Sequence, residues 1–369
     1  MYFNIIRKGT GALNSRERYI AAINHQKPDR VPVELRFSAA LEKRLKQDLK
    51  LDDQRLWEWI GQDSFTVRPS YLHAVTPIKY ADPTCRVENN IYYDIYQVPF
   101  KALDVGEGTY LEPMPVHPPL EDVETIQDLD NFPWPTTADW DYSGLPVLLD
   151  AKPNKTLWCR SRGCFQTATL MRGVEQLLVD MMLEEDLADA IFQHIFDFVY
   201  ADAEKTLQAG NGQYTFIEYN DDVASQRGMI ISPEMWRRFL KPRMKQFCDM
   251  AARYGAYVRY HSCGSVYEII DDLIEVGVHI LNPVQPMAAN MDPREIKREF
   301  GDRICLNGAI DIQQLLPFGT PEEVKTEVKS LIRDLGENGG YILSAAHTIQ
   351  TDVPTTNIIA LVEAIHETD

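Results

Sequence analysis

The sequence lacks the short signatures that identify several common classes of protein. No Gly-rich dinucleotide-binding fingerprint follows a strand-like run, and there is no Walker-type phosphate loop and no Gly-x-Ser-x-Gly nucleophile elbow. No run approaches the roughly 20 apolar residues that a transmembrane helix needs. These absences disfavour a Rossmann dehydrogenase, a P-loop nucleotidase, an α/β-hydrolase and an integral membrane protein.

Positive charge is also scarce. The 369 residues include 37 Lys and Arg against 55 Asp and Glu, a net charge of −18, which disfavours nucleic acid or an anionic membrane as the partner. Six irregularly spaced cysteines do not form a disulfide framework in a chain of this length. The first 13 residues hold too short an apolar run for a secretory signal. We therefore expect a cytoplasmic protein with reduced thiols.

Strand-like and helix-like segments alternate along the chain. Strand-like runs, which begin with "VPVELRF" and "FTVRPSY", occupy about eight places, at 31–37, 65–71, 155–163, 214–221, 256–264, 279–285, 304–311 and 341–347. Eight βα units predict a TIM (β/α)8 barrel, with a doubly wound open sheet as the alternative. An N-terminal helix is expected to begin at Asn14 or Ser15.

The segment from about 65 to 155 differs from the rest of the chain. It is rich in Pro, Tyr and Asp and contains the hairpin-like "NNIYYDIYQVPF". We interpret it as an insertion of loops and short strands packed on the barrel. The whole chain, 1–369, is then a single domain.

Polar residues collect where the predicted strands end. The set comprises Glu218, Asp221, Asp222, His261, Cys263, Asn282, Gln285, Asn307, Asp311 and His347. Active sites of TIM barrels lie at the carboxyl ends of the strands. The acidic residues could instead belong to a solvated loop, and Asn307 and Asp311 could be loop caps.

Strand alternation groups some of these residues further. Two sets each share one strand face, Tyr257, Arg259, His261 and Cys263 in one strand and Tyr341, Leu343, Ala345 and His347 in another. If both faces point inward, two imidazoles and a thiol converge, the mixture that zinc prefers, with a fourth position left open. The His–Cys pair is equally compatible with a thiolate–imidazolium nucleophile. The other four cysteines are expected to be buried small apolar side chains.

Several longer blocks resemble a known family. They are "SRERYIAAINHQKPDRVPV", "DDVASQRGMIISPEMWRRFLKPRMKQF", "HSCGSVYEIIDDLIEVGVHILNPVQP", "LNGAID" and "GGYILSAAHTIQTDVPTTNI". Together they resemble the uroporphyrinogen decarboxylase superfamily from about Asn14 to the C-terminus, with 65–155 poorly covered, and the resemblance implies a TIM barrel. True uroporphyrinogen decarboxylases carry an Arg-Gln-Ala-Gly-Arg stretch after the first strand. Here that place reads "VELRFSAAL", and only Arg36 remains as a basic group.

The closest resemblance is to the zinc- and corrinoid-dependent methyltransferase branch, which carries a His-x-Cys pair and a distant Cys as zinc ligands. His261 and Cys263 match the pair, and alignment of "DVPTTN" with that branch puts His347 where the distant Cys usually stands. The resemblance thus implies Zn²⁺ bound by His261, Cys263 and His347. One thiolate and two imidazoles would leave the ion a formal positive charge and make it a stronger Lewis acid, suited to polarising the oxygen or nitrogen of a methyl donor.

The resemblance implies a methyltransferase that demethylates a small O-methyl or N-methyl compound. The methyl group would pass to the corrinoid of a partner protein, because no Asp-x-His-x-x-Gly cobalamin segment is present. The reverse transfer, from methyl-corrinoid to an acceptor, stays open, as does a homodimer. In this interpretation Glu218 and Asp221 are catalytic, with Glu218 a fourth ligand or a proton donor. Substrate would be bound by four further residues, Arg36, Asp222, Asn307 and Asp311.

Two other functions compete with this one. The first is a metal-independent decarboxylase of a polycarboxylate, in which Arg36, Arg160 and Arg162 bind carboxylates and Asp222 or Glu218 stabilises a protonated intermediate. The arginines could equally form structural salt bridges. The second is a barrel without enzymatic activity that serves as a binding or sensor protein.

Overall fold

A computed structural model describes residues 12–74, 83–104, 109–114 and 117–368. Most of the N-terminal stretch interpreted above as lacking a secretory signal lies outside these residues. Within the described ranges, none of the helices combines the length and the apolar character that crossing a membrane would require.

Within the described residues, the strands are β1 (Ser64–Thr66), β2 (Ser70–Tyr71), β3 (Thr84–Glu88), β4 (Ile91–Asp94), β5 (Pro99–Asp104), β6 (Thr109–Pro113), β7 (Trp140–Asp141), β8 (Thr156–Arg162), β9 (Phe216–Asn220), β10 (Ala224–Ser225), β11 (Gly228–Met229), β12 (Tyr257–His261), β13 (Ile280–Val284), β14 (Cys305–Ile310) and β15 (Tyr341–Ala345). Seven of these strands form one curled parallel sheet, in the order β1-β8-β9-β12-β13-β14-β15. All six strands predicted after residue 155 are confirmed.

Helices follow the strands of this sheet. In the described part of the chain they are α1 (Ser15–Ile23), α2 (Ala39–Leu49), α3 (Asp53–Ile60), α4 (Ile126–Leu129), α5 (Leu145–Asp150), α6 (Cys164–Arg172), α7 (Val174–Leu183), α8 (Glu185–Gly210), α9 (Pro233–Phe239), α10 (Lys241–Arg253), α11 (Ile270–Val276), α12 (Pro293–Phe300), α13 (Leu315–Phe318), α14 (Pro321–Gly336) and α15 (Thr355–Glu367). Asn14 caps α1 and accepts the backbone N–H of Glu17, as predicted.

Residues 31–37 close the sheet into a barrel. On one side the backbone N–H of Glu34 donates to the carbonyl of Leu343 in β15, at 2.9 Å. On the other side the carbonyl of Val33 accepts the N–H of Asp63, which precedes β1, at 3.0 Å. The predicted first strand therefore supplies the eighth position of the barrel, although only isolated bridges at Val33 and Phe37 make it strand-like. The TIM-barrel prediction is confirmed.

The barrel interior is filled in layers. The layer at the N-terminal end is aromatic and apolar, and Tyr19 of α1 packs against it; its strand residues are Trp158, Phe216, Tyr257, Ile280, Cys305 and Ile342. Ile342 thus points inward, whereas Leu343 packs in the main core, which also contains the buried helix residues. The condition that Leu343 and its alternate neighbours in the last strand point inward is therefore not met, because successive side chains of a strand lie on opposite sides of the sheet.

Two predicted helices are divided in the structure. The helical region expected over 167–209 forms α6, α7 and α8, with Gly173 at φ +84° between the first two. The helix expected after Ser232 breaks at Leu240, and Pro242 lies in the first turn of α10. Proline removes a backbone donor and clashes with the preceding turn, so a new helix begins there.

The region from 65 to 155 contains a four-stranded antiparallel sheet, β3-β4-β5-β6. Asn89 and Asn90, at φ +51° and +63°, turn the chain between β3 and β4, a backbone that favours Asn. Asp94 pairs with Arg162 at the end of β8, with 2.6 Å between Oδ2 and Nη1. The sheet is thereby tied to the barrel, and the single-domain interpretation of the chain stays a prediction.

Candidate metal centre

The loop after β12 is held by its neighbours on both sides. Ser262 directly follows His261, and its hydroxyl oxygen accepts the backbone N–H of Val223 at 3.1 Å. The backbone N–H of Gly264 donates to Oε1 of Gln285 at 2.7 Å. These bonds join the loops that follow β9, β12 and β13, so the side chain of Cys263 is presented on a rigid support.

Gly264 fits where no other residue would fit without strain. Its φ is +86°, and a Cβ there would lie 2.4 Å from the backbone oxygen of Ser225. Gly264→Ala is expected to cost about 1–2 kcal/mol for the left-handed backbone and about 1–3 kcal/mol more for the clash. Gly255→Ala is the matched control, because Gly255 has φ +70° with open space around it. Denaturant unfolding of both variants measures the difference, and equal losses would contradict the close approach.

Three ligand-type side chains meet at this end of the barrel. One ligand atom each from Asp222, His261 and Cys263 lies within 4.8 Å of the others. Nε2 of His261 is 3.7 Å from Sγ of Cys263 and 3.8 Å from Oδ1 of Asp222. Asp222 is itself held by the backbone N–H of Cys263 at 2.8 Å and by Nε2 of Gln166 at 2.7 Å. The sequence predicted Asp222 as a substrate-binding residue, and the structure places it beside the His–Cys pair.

This donor set fits zinc. Imidazole nitrogen, thiolate sulfur and carboxylate oxygen are all common zinc ligands, and tetrahedral bonds of ordinary length put such atoms about 3.3–3.6 Å apart. The two distances measured from Nε2, 3.7 and 3.8 Å, lie just above this range. Three protein ligands would leave the fourth position open, as in catalytic zinc sites.

The ionisation of the pair argues against a reactive nucleophile. Burial, together with the charge of Asp222, raises the pKa of the Cys263 thiol to about 12. Burial also lowers the pKa of His261, against the opposing effect of Glu218 and Asp222. Both side chains are therefore neutral in the absence of a metal, whereas a thiolate–imidazolium pair requires the reverse. The pKa shifts of the two side chains therefore favour their interpretation as metal ligands over a thiolate–imidazolium nucleophile.

His347 lies outside the group of three. It is in the loop beyond β15 and is exposed, and its ring is not among the ligand atoms that come within 4.8 Å of one another in the described residues. Partial burial of the ring and the positive charge of Arg36 lower its pKa, while Asp222 opposes them. His347 therefore borders the same mouth of the barrel, and its role as a ligand stays a prediction.

An ionic layer lies beneath the three ligand-type residues. The guanidinium of Arg259 is buried over the rings of Trp158 and Phe216. It pairs with Glu34, at 2.8 Å from Nη1 to Oε1, and with Glu218, at 2.7 Å from Nε to Oε2. All three charged groups of this layer are removed from water, so the loss of any one of them would leave a buried charge without its partner and destabilise the barrel interior.

Glu218 is held ionised by this layer. Burial alone would raise its pKa, but Arg259, aided by Arg36, His261 and Arg160, outweighs burial and brings the pKa to about 2. A group with such a pKa does not donate a proton at neutral pH. The proton-donor role suggested for Glu218 is therefore disfavoured. Its carboxylate instead contributes negative charge beneath the three ligand-type residues.

Asp221 and Asp311 bind backbone. The carboxylate of Asp221 is buried and accepts the N–H groups of Phe165 and Gln166 in the first turn of α6, and burial raises its pKa to about 7 against these bonds. Asp311 accepts three successive N–H groups that begin at Gln313. Asp311 is thus a loop cap, the alternative considered for it. The catalytic role predicted for Asp221 stays a prediction.

Two arginines face the mouth of the barrel. Arg36 and Arg160 have side chains about one-third exposed, and each is 3.8–4.0 Å from a buried carboxylate oxygen. Arg160 also donates to Asn220. Arg162 instead pairs with Asp94 and lies over the ring of Tyr96, so it is engaged in the inserted region. The first two arginines remain as candidates for binding an anionic group.

Several residues of this centre have no role that was predicted from the sequence. Glu34 and Arg259 were not singled out, although a charged residue within a strand-like apolar run is a signal for a buried ion pair. Asn282 and Gln285 were noted at a strand end without a function. In the structure Asn282 contacts His261 and Gln285 contacts Gly264.

Fold and site together define a TIM-barrel protein with a candidate metal centre at the carboxyl ends of its strands. The sequence profile of the uroporphyrinogen decarboxylase (URO-D) family matches residues 92–368. The chain belongs to this family, and the superfamily resemblance is confirmed.

The chain is similar in sequence to proteins named uroporphyrinogen decarboxylase and similar in fold to a methyltransferase. The chain is 28% identical over 193 residues to the uroporphyrinogen decarboxylase of Chlorobaculum tepidum, covering 51% of each chain. It is 34% identical over 144 residues to that of Chlorobium luteolum, covering 37% of this chain and 38% of the relative. The chain thus spans about half or less of the length of these curated relatives. A methyltransferase from Methanosarcina mazei superimposes with a TM-score of 0.65 at 20% identity, covering 96% of this chain and 99% of that one, a likeness of fold.

Proposed function

We propose that the protein is a zinc-dependent methyltransferase that moves a methyl group between a small O-methyl or N-methyl compound and the corrinoid of a partner protein. The observation that carries the proposal is the convergence of Asp222, His261 and Cys263 at the mouth of the barrel. Zinc bound there supplies a Lewis acid that polarises the oxygen or nitrogen of the methyl compound. The methyltransferase name of the structural neighbour is in keeping with this choice.

The remaining residues of the mouth bind and orient the methyl compound in this proposal. Arg36 and Arg160 are partly exposed, and together with the buried Arg259 they lie within 4.0 Å of the buried carboxylates of Glu34 and Glu218. Three guanidiniums thus adjoin two buried carboxylates, an excess of one positive charge. A carboxylate on the methyl compound would balance that charge and hold the compound beside the metal group.

The test is a direct assay of methyl transfer. Purified protein is mixed with a reduced corrinoid protein and a panel of methoxylated aromatic compounds and methylamines, and the absorbance change of corrinoid methylation is followed. At least one donor is expected to be demethylated, and Cys263→Ala is expected to abolish the transfer. Cys248→Ala is the matched control, because Cys248 is a buried core cysteine. Absence of transfer with every donor, in protein shown to hold zinc, would remove the proposal.

Decarboxylation of a polycarboxylate is the second candidate. The family assignment and the pair Arg36 and Arg160 favour it, although Arg162 is engaged by Asp94. The two candidates differ in their need for metal. Release of CO₂ by chelator-treated protein would favour the decarboxylase, whereas methyl transfer lost with zinc and restored by zinc would favour the methyltransferase.

A further inference from the structure

The geometry points to a hydrogen-bond relay that selects the tautomer of His261 and aims its Nε2 lone pair at Cys263 and Asp222. We propose that Asn282 and Asn307 are positioning residues of the metal centre and act through His261. The inference rests on the proposed function in that it takes this group as a metal site. The relay itself is carried by hydrogen bonds among side chains that are all buried.

The relay begins at Arg259, whose chemistry allows only one direction of hydrogen bonding. A guanidinium has five N–H donors and no acceptor. Its Nη1 lies 3.2 Å from one amide atom of Asn307, so that atom must be the oxygen, Oδ1. The other amide atom, Nδ2, lies 3.2 Å from the carbonyl oxygen of Ile342, which can only accept. Two independent partners therefore give Asn307 the same orientation.

The orientation passes from Asn307 to Asn282. Oδ1 of Asn307 accepts, so the amide atom of Asn282 that lies 2.6 Å from it must be the donor Nδ2. The oxygen of Asn282 is then left on the opposite side, where it lies 2.5 Å from Nδ1 of His261. The orientation of a side-chain amide is assigned from its hydrogen-bond partners. Here the guanidinium of Arg259, which can only donate, fixes the orientation of both amides in the relay.

His261 completes the relay. An amide oxygen can only accept, so Nδ1 of His261 must carry the proton, and in a neutral imidazole the other nitrogen, Nε2, then has a free lone pair. Nε2 is the atom that faces Sγ of Cys263 and Oδ1 of Asp222. His261 pairs in register with Asn282 on the next strand, so this part of the relay runs between neighbouring strands of the barrel. Metal-binding histidines generally donate their other N–H to such a partner.

This arrangement also gives Asn307 a different role from the one predicted. The sequence suggested that Asn307 orients substrate. In the structure its side chain is fully buried, and both amide atoms are used within the relay. Arg259 consequently has two functions in the interior, because it balances two carboxylates and also sets the direction of the relay.

The first test is nitrogen-15 NMR of the histidine side chains in metal-free protein. The signal of His261 is identified by its loss in His261→Gln. The relay predicts a protonated Nδ1 and an unprotonated Nε2. A protonated Nε2, or an even mixture of the two forms, would overturn the inference. The outcome does not depend on methyl transfer, so failure of the relay and failure of the proposed function are distinguishable.

The second test measures zinc affinity by competition with a chelating dye. Asn282→Leu and Asn307→Leu remove the relay and are expected to weaken zinc binding by about 10–100-fold, the range for groups that orient a metal ligand. Asn307→Asp keeps an oxygen acceptor for Arg259 and Asn282 but loses the N–H that the carbonyl of Ile342 accepts, so it is expected to retain more zinc affinity than Asn307→Leu. Asn357→Leu is the control, because Asn357 is buried and its side-chain amide donates to the carbonyls of Leu316 and Gly319, away from the metal centre.

The control separates positioning from folding. Asn357→Leu is expected to lower the midpoint of unfolding without changing zinc affinity or the His261 tautomer. If Asn282→Leu changes zinc affinity no more than Asn357→Leu does, the relay is overturned. If Asn307→Leu weakens zinc binding and Asn307→Asp restores it, a merely structural role is excluded.

Discussion

Asp222→Ala is expected to remove most of the zinc from the purified protein and, with it, methyl transfer. Oδ1 of Asp222 lies 3.8 Å from Nε2 of His261 and is held in place by the backbone N–H of Cys263. Loss of a direct ligand is expected to exceed the roughly 10–100-fold effect of losing a group that only orients one. Metal content by mass spectrometry and affinity by dye competition measure the loss.

His347→Ala provides the comparison. Because the ring of His347 lies outside the group of three, its removal is expected to weaken zinc binding much less than removal of Asp222. The opposite ranking would restore the ligand set suggested by the resemblance, His261, Cys263 and His347. It would also require the mouth of the barrel to rearrange on metal binding.

The identity of the third ligand changes the expected chemistry. One thiolate and two imidazoles leave zinc with a formal charge of +1, whereas one thiolate, one carboxylate and one imidazole leave it neutral. With Asp222 as a ligand, the positive charge that favours an anionic methyl compound comes instead from Arg36 and Arg160. In that case zinc would polarise the leaving group, and the two arginines would bind the negatively charged part of the methyl compound.

Arg259→Met is expected to destabilise the fold by about 3–5 kcal/mol, the usual result of breaking a buried ion pair from one side. Glu34 and Glu218 would lose their close, fully buried partner, and Arg36 and Arg160 would replace it poorly because they are partly exposed and lie 3.8–4.0 Å away. Urea unfolding followed by circular dichroism measures the change. Arg303→Met is the control, because Arg303 pairs with Asp271 at the surface and such pairs contribute about 0–1 kcal/mol.

The pH dependence of this destabilisation follows from the carboxylates. In the native protein the pKa of Glu218 is about 2, below its ordinary 4.5, so its contribution to stability is present above pH 4.5 and is lost as the pH falls toward 2. Without Arg259, burial is expected to raise the pKa of Glu34 and Glu218, and their protonation would remove the cost of the buried negative charge. The difference between variant and native protein is therefore expected to shrink below pH 4.5. Adding Glu34→Gln and Glu218→Gln to Arg259→Met should recover most of the lost stability, and no recovery would contradict the ionic balance.

The alternation of strands and helices after residue 155 predicted the barrel, because periodicity and helix caps are local properties of the sequence. Two kinds of detail were not local. The inward face of β15 could not be read from the sequence, since "YILSA" has apolar residues on both faces and is buried on both, and register depends on the neighbouring strands. The helical region after Gly163 was divided at Gly173, where a positive φ is needed for the turn between α6 and α7.

His261 and Cys263 could be found from the sequence because they lie two residues apart at the end of one strand. The roles of the residues around the pair could not be assigned in this way, because most of these residues come from other strands and Arg259, in the same strand, acts from a different layer. Asp222 reaches the pair through the loop after β9, Asn282 through the next strand, and Arg259 acts from one layer below. Whether a carboxylate binds substrate, metal or backbone depends on which donors surround it, and only the assembled barrel supplies those donors. The sequence by itself determined the βα order and the His–Cys pair. The tertiary structure decided which residues surround the pair: Asn282, which orients the ring of His261, and Asp222, which adds a negative charge beside it.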